Sequence, residues 1–196
     1  MSEKREITRE DLLPLEQYEK VRKERRKDLV AKKKDRRVAV GPHCTFHFEN
    51  YDTMWAQVME MLFIEKGGEA QIDDELSAYN PLIPQGRELV ATVLFEIEDK
   101  VERHKFLAKL GGVEETAFIR VNGETIEGKP EEDVDRTTAD GKASSVQFIH
   151  FPFTDSAIEA FKQSGAEVEV GFTHPQYRHT VGLTEEQRAA LAEDFD

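Results

Sequence analysis

The sequence predicts an α+β domain, mainly an antiparallel sheet with packed helices, preceded by an N-terminal helical arm. Three segments alternate apolar and other residues with period two: "ELVATVLFEIE" (88–98), "SVQFIHFPF" (145–153) and "AEVEVGFTH" (166–174). That pattern suits a sheet with one covered face. Helical segments lie between the strands without strict βαβ alternation, which favours antiparallel pairing. The first 37 residues differ in kind, being basic and sparsely apolar. We therefore divide the chain into an arm (1–37) and a globular part (38–196).

Each element has a local reason. Thr8 with Asp11 resembles a short capping turn, and Pro14 suits the first turn of a helix running to about Lys34. Its apolar positions (Leu15, Tyr18, Val21, Leu29, Val30) are few, so the helix lies on a surface. "RVAV" (37–40) reads as a strand stopped by Gly41-Pro42, and Thr45 to Glu49 as a second. Asn50 or Asp52 opens a helix to about Lys66, apolar around most of its circumference. A shorter helix from about Glu69 to Tyr79 closes at Asn80-Pro81. Asp99 with Glu102 caps a helix ending at Gly111-Gly112, and Asn122-Gly123 marks a type I′ hairpin. Residues 129–143 read as a mobile acidic loop. "TDSAIEAFKQSG" (154–165) is a capped helix, and Thr184 with Gln187 opens the last one. Cys44, Phe46, Phe48, Trp55, Val58, Leu62, Val93, Phe95, Phe118, Phe148 and Val170 are expected to be buried together.

Composition excludes several roles. With 38% apolar and 34% charged residues, no stretch reaches the length of a membrane span. The first 19 residues hold six acids and no apolar core, unlike a signal or transit peptide. One cysteine permits no internal disulfide, so a reducing cytoplasm is the expected setting. The net charge of −13 is unevenly spread: residues 1–37 hold 14 bases against 9 acids, residues 38–196 hold 13 against 31. The globular part would repel phosphate, leaving only the arm as a surface for nucleic acid.

"GPHCTFHFEN" (41–50) is the segment richest in ligand-type side chains. On a strand, His43, Thr45, His47 and Glu49 share one face and Cys44, Phe46 and Phe48 the other. At ~3.3 Å per residue the two histidines sit about 13 Å apart, too far to share one zinc. No metal site or cofactor is expected from this stretch, and Cys44 reads as a small core residue. Gln57 and Glu60 form a polar stripe on an apolar helix, either its exposed edge or a buried carboxylate with a shifted pKa. His150 is expected to face water, and His174 before Pro175 to serve a turn. Glu-x-x-His, Cys-x-x-Cys, Gly-x-Gly-x-x-Gly, the P-loop and Gly-x-Ser-x-Gly are all missing.

Taken together, "RRVAVGPH", "FENYDTMWAQVMEM", "ELSAYNPLIPQG", "SSVQFIHF" and "HPQYR" resemble a bacterial family known as domain of unknown function 3501. The resemblance runs from about Ile7 to Leu191. It implies an accessory role beside rubrerythrin-like or iron–sulfur oxidoreductase partners, in peroxide defence or electron transfer. The matching positions are His43, Phe48, Glu49, Asn50, Thr53, Gln57, Glu60, Met61, Tyr79, Asn80 and Pro81. The family supplies no catalytic residues, and Cys44 and His47 fall where it varies.

Three functions follow as expectations. The first is a non-catalytic protein docking on an acidic or redox partner through Arg25, Arg26, Lys32, Lys33, Lys34 and Arg36. The second is a small ligand binder, metal binder or enzyme using a pocket of His43, Gln57, Glu60 and Tyr79. The third is a nucleic-acid-associated protein using the basic arm.

Overall fold

A computed structural model of the chain describes residues 4–131, 138 and 141–196. Helix α1 (Leu15–Lys34) follows Pro14 and leads into a hairpin of β1 (Arg37–Val40) and β2 (Cys44–Phe48). Helices α2 (Tyr51–Glu65) and α3 (Glu69–Tyr79) come next, then β3 (Glu88–Phe95) and α4 (Lys100–Leu107). The second half contains β4 (Ala117–Val121), β5 (Glu124–Glu127), β6 (Lys129–Pro130) and β7 (Val146–Pro152). It ends with α5 (Asp155–Lys162), β8 (Val168–Phe172), β9 (Thr180–Gly182) and α6 (Glu185–Ala192). None of the described helices is long and apolar enough to cross a membrane.

Caps start the helices where the sequence places them. The Asn50 side chain accepts from the Thr53 amide, and that of Asp99 from Val101 and Glu102. Thr184 and Gln187 form a reciprocal box. Helix α4 ends at Leu107, earlier than the glycine pair suggests, and turns carry the chain to Gly112. At the β4–β5 hairpin Asn122 and Gly123 both take positive φ (47° and 91°), as a type I′ turn requires.

The strands form two antiparallel sheets, ordered β1-β2-β3-β7-β6 and β5-β4-β8-β9. Between them lies the main core, where Cys44, Phe46 and Phe48 meet Val93, Phe95, Val170 and Phe172. A second core lies on the other face of the first sheet, where Met54, Val58 and Leu62 of α2 cover Val90, with Leu82, Ile83 and Ile7. The single buried cluster expected above is thus two clusters, with Phe118 buried outside both. Strand alternation sends Val90 and Phe148 to the face opposite Ala91 and Ile149, so the sheet separates α2 from the phenylalanines of β2. Trp55 and Phe148 border the second core and are only partly buried.

Two strands are absent from the sequence reading. Lys129–Pro130 opens the expected acidic loop but pairs with His150 and Ile149 of β7. Residues 132–137 and 139–140 of that loop lie outside the described residues. Strand β9 is three residues long and pairs with β8. Between β1 and β2, Gly41 takes φ +70°, and a side chain there would meet the His179 ring at 2.6 Å.

Candidate functional site

Helix α1 has one buried side chain, Tyr18, and it sits on α2. The tyrosine ring meets Trp55 and Phe63 edge-on, at 6.0 and 5.9 Å. Its hydroxyl donates to Glu60 Oε1 at 2.7 Å. One turn later Arg22 donates from Nε to Oε1 (2.8 Å) and from Nη2 to Oε2 (2.7 Å), while its guanidinium lies 4.6 Å over Phe63. The bidentate Arg22 contact, helped by Tyr18, holds the Glu60 carboxyl down to about 2. Burial, and then the bond to Glu60, push the Tyr18 hydroxyl up. Glu60 is therefore a fixed anion at neutral pH, a clamp for α1 rather than a proton-transfer group.

Past this clamp the helices part. A groove of about 470 Å³ lies between them, with Trp55, Ala56, Leu29 and Tyr18 supplying apolar surface and Arg25, Arg26 and Lys32 at its margin. The Arg25 guanidinium lies 5.2 Å over the Trp55 ring, and the indole N–H donates to Asp11 O at 2.9 Å. Lys32 is ion-paired with Asp52. Arg25, Arg26, Lys32 and Lys34 are exposed and Lys33 is half-buried.

Arg36 departs from the other bases. It is 4% exposed and donates to Phe48 O (3.0 Å), Glu49 O (3.0 Å) and Ala190 O (3.2 Å), while ion-pairing with the buried Asp194. Arg36 is thus not the partner contact expected from its place among the bases, because all its reach is spent joining β2 to α6.

The four residues of the expected ligand pocket are not one cluster of contacts. Gln57 Nε2 donates to the Tyr79 hydroxyl at 3.4 Å, bringing α2 and α3 together. Glu60 faces α1 instead. The His43 ring packs on Phe106 (5.1 Å) and its amide donates to the Tyr177 hydroxyl (3.1 Å), in a set of contacts that includes nothing from α2. Asn80 serves the N-terminal segment, accepting from the Ile7 amide (2.8 Å) and donating to its carbonyl (2.9 Å).

Other titratable groups have structural explanations. Burial pushes the Cys44 thiol up. Burial lowers the His47 pKa, and its Nε2 is buried with no hydrogen-bond partner among the described residues. His174 Nε2 is 3.2 Å from Gly111 O and its Nδ1 accepts from the Gln176 amide, so it does serve a turn. His150 is half-buried rather than open to water, with Nδ1 3.0 Å from Glu88 and Nε2 3.8 Å from Glu131. The bond to Glu88, with Glu131 beyond it, raises its pKa. Among the described residues no group of three or more His, Cys, Asp or Glu side chains is arranged to hold a metal ion.

Sequence reasoning reached Glu60, Arg25, Arg26 and Lys32 but missed Tyr18, Arg22 and Trp55 as parts of the same site. One signal was present: Tyr18, Arg22, Arg25 and Leu29 recur at helical spacing along one side of α1.

A solved crystal structure from Burkholderia pseudomallei K96243, described as a novel protein of unknown function, is similar throughout. It shares 38% identity and a TM-score of 0.90, covering 97% of this chain and 99% of that one. Comparison with curated proteins gave no match. The family model described as "Protein of unknown function (DUF3501)" matches residues 6–195, so the chain belongs to the DUF3501 family.

Proposed function

We propose that the protein is a non-catalytic interaction module that docks an acidic partner protein on the exposed basic surface of α1. The observation that carries this reading is the state of the helix. Over 20 residues it buries only Tyr18, and Lys23, Arg26 and Lys27 are exposed with no ion pair among the described residues. A helix polar on nearly all sides gains little from its own fold and is suited to bridging to another molecule. The charge of the globular part, 13 bases against 31 acids, disfavours a continuous phosphate backbone close by. The resemblance noted in the sequence implies a redox partner of the rubrerythrin-like or iron–sulfur oxidoreductase class, and the charge of α1 calls for an acidic one.

The test is affinity capture from the source cells, comparing the wild type with Lys23→Glu/Arg26→Glu/Lys27→Glu. The wild type should retain an acidic protein at low salt and lose it as salt rises. The triple variant should retain none, with its melting temperature only slightly lowered, because Arg26 also supports the Glu60 charge. Capture surviving both changes would refute charge-directed docking, and capture of RNA alone would favour a nucleic-acid role.

A further inference from the structure

We infer that the groove between α1 and α2 receives an apolar side chain flanked by carboxylates, on an acidic segment of the partner. This rests on the docking reading above and adds what the partner must present. The groove, at about 470 Å³, falls in the size range of sites that enclose a ligand group. Its surface is of two kinds. Trp55, Leu29 and Ala56 are each half-buried and leave apolar area open between the helices. Around them, the acids are mostly taken: Glu60 by Arg22 and Asp52 by Lys32. Arg25 and Arg26 remain outside any ion pair among the described residues; Asp28 is the groove acid left without one, and Arg26 also helps hold the Glu60 charge.

Carboxylates alone would leave the indole and Leu29 wet, and an apolar segment alone would desolvate two guanidinium groups without compensation. A segment alternating carboxylates with one apolar residue satisfies both, in the manner of a buried anchor inside a polar rim. Arg25 already covers the Trp55 face, so a stacking nucleobase would have to displace it.

Trp55 is the one tryptophan of the chain, so its emission reports on the groove directly. The probes are two short glutamate-rich peptides of equal charge, one with a central leucine and one with a central serine, and an oligouridylate RNA. The leucine peptide should shift Trp55 emission to the blue and bind about tenfold more tightly than the serine peptide, the effect of burying one leucine side chain. Ala56→Phe fills the groove from α2, and Leu29→Ser removes apolar surface from α1. Each should abolish the leucine preference while leaving the weaker serine-peptide binding unchanged. If salt-sensitive binding occurs with no leucine preference, or the preference survives both substitutions, the groove inference fails and charge-directed docking stands. If neither peptide binds, or only the RNA does, both fail.

Discussion

The Glu60 carboxylate accepts both arms of the Arg22 guanidinium, at 2.8 and 2.7 Å, and this contact joins α1 to the rest of the protein. Both side chains are less than one-third exposed, so solvent screens the pair only in part. Glu60→Gln should destabilise the protein by about 1–3 kcal/mol at pH 7. The pH dependence has a definite sign. The folded pKa of Glu60 is depressed from 4.5 to about 2. Its contribution is therefore complete above about pH 5 and is lost as pH falls through the window down to 2. Denaturant unfolding at pH 7, 4 and 3 should show the two proteins converging; a constant difference would mean the carboxylate charge is not what stabilises.

Arg36 and Asp194 are both 4% exposed and face each other. Arg36→Ala leaves a buried carboxylate without its cation and three carbonyls without their donor, which should cost about 3–5 kcal/mol. Lys27→Ala, on the open side of α1, should change stability by less than about 0.5 kcal/mol. Urea midpoints of the two variants measure the contrast. Similar values for both would place Arg36 at the surface.

His150 lies between Glu88 and Glu131 with a raised pKa. The stability it adds is fully present below the unfolded value near 6.5 and is lost as pH rises through the folded value. His150→Gln should therefore be less stable than wild type at pH 6, by about 1 kcal/mol or less, and no less stable at pH 9. A ring-proton NMR titration should place the His150 midpoint above that of an unstructured histidine. A midpoint below it would contradict the pairing.

Cys44 is buried between the sheets, and its thiol is held in the protonated form. The native protein should resist a bulky thiol reagent at pH 8 and react once unfolded in guanidinium. Labelling of the native protein at the rate of an unfolded control would place Cys44 outside the core.

Local chemistry made much of the fold legible. Asn50, Asp99 and Thr184 cap their helices because a side-chain oxygen there meets amides two or three residues ahead. Asn122-Gly123 turns because those residues accept positive φ. The parity of Cys44, Phe46 and Phe48 sends all three to one face of β2, as the pleat requires. Two short strands escaped because nothing local marks them. Thr180–Gly182 and Lys129–Pro130 are strands only by virtue of the neighbours they bond.

By itself the sequence determined the α+β class, the helix starts, the hairpin turn, the core face of β2 and the basic character of α1, because each depends on residues within a few positions of one another. Only the tertiary structure decided which polar groups act together. Lys33, Lys34 and Arg36 look alike along the chain, yet Arg36 alone is drawn under α6, to a carboxylate 158 residues away. Glu60 stands on a polar stripe whose meaning depends on Tyr18 and Arg22, 42 and 38 residues earlier. Burial and charge pairing across such separations follow from how helices and sheets pack, and no local pattern encodes them.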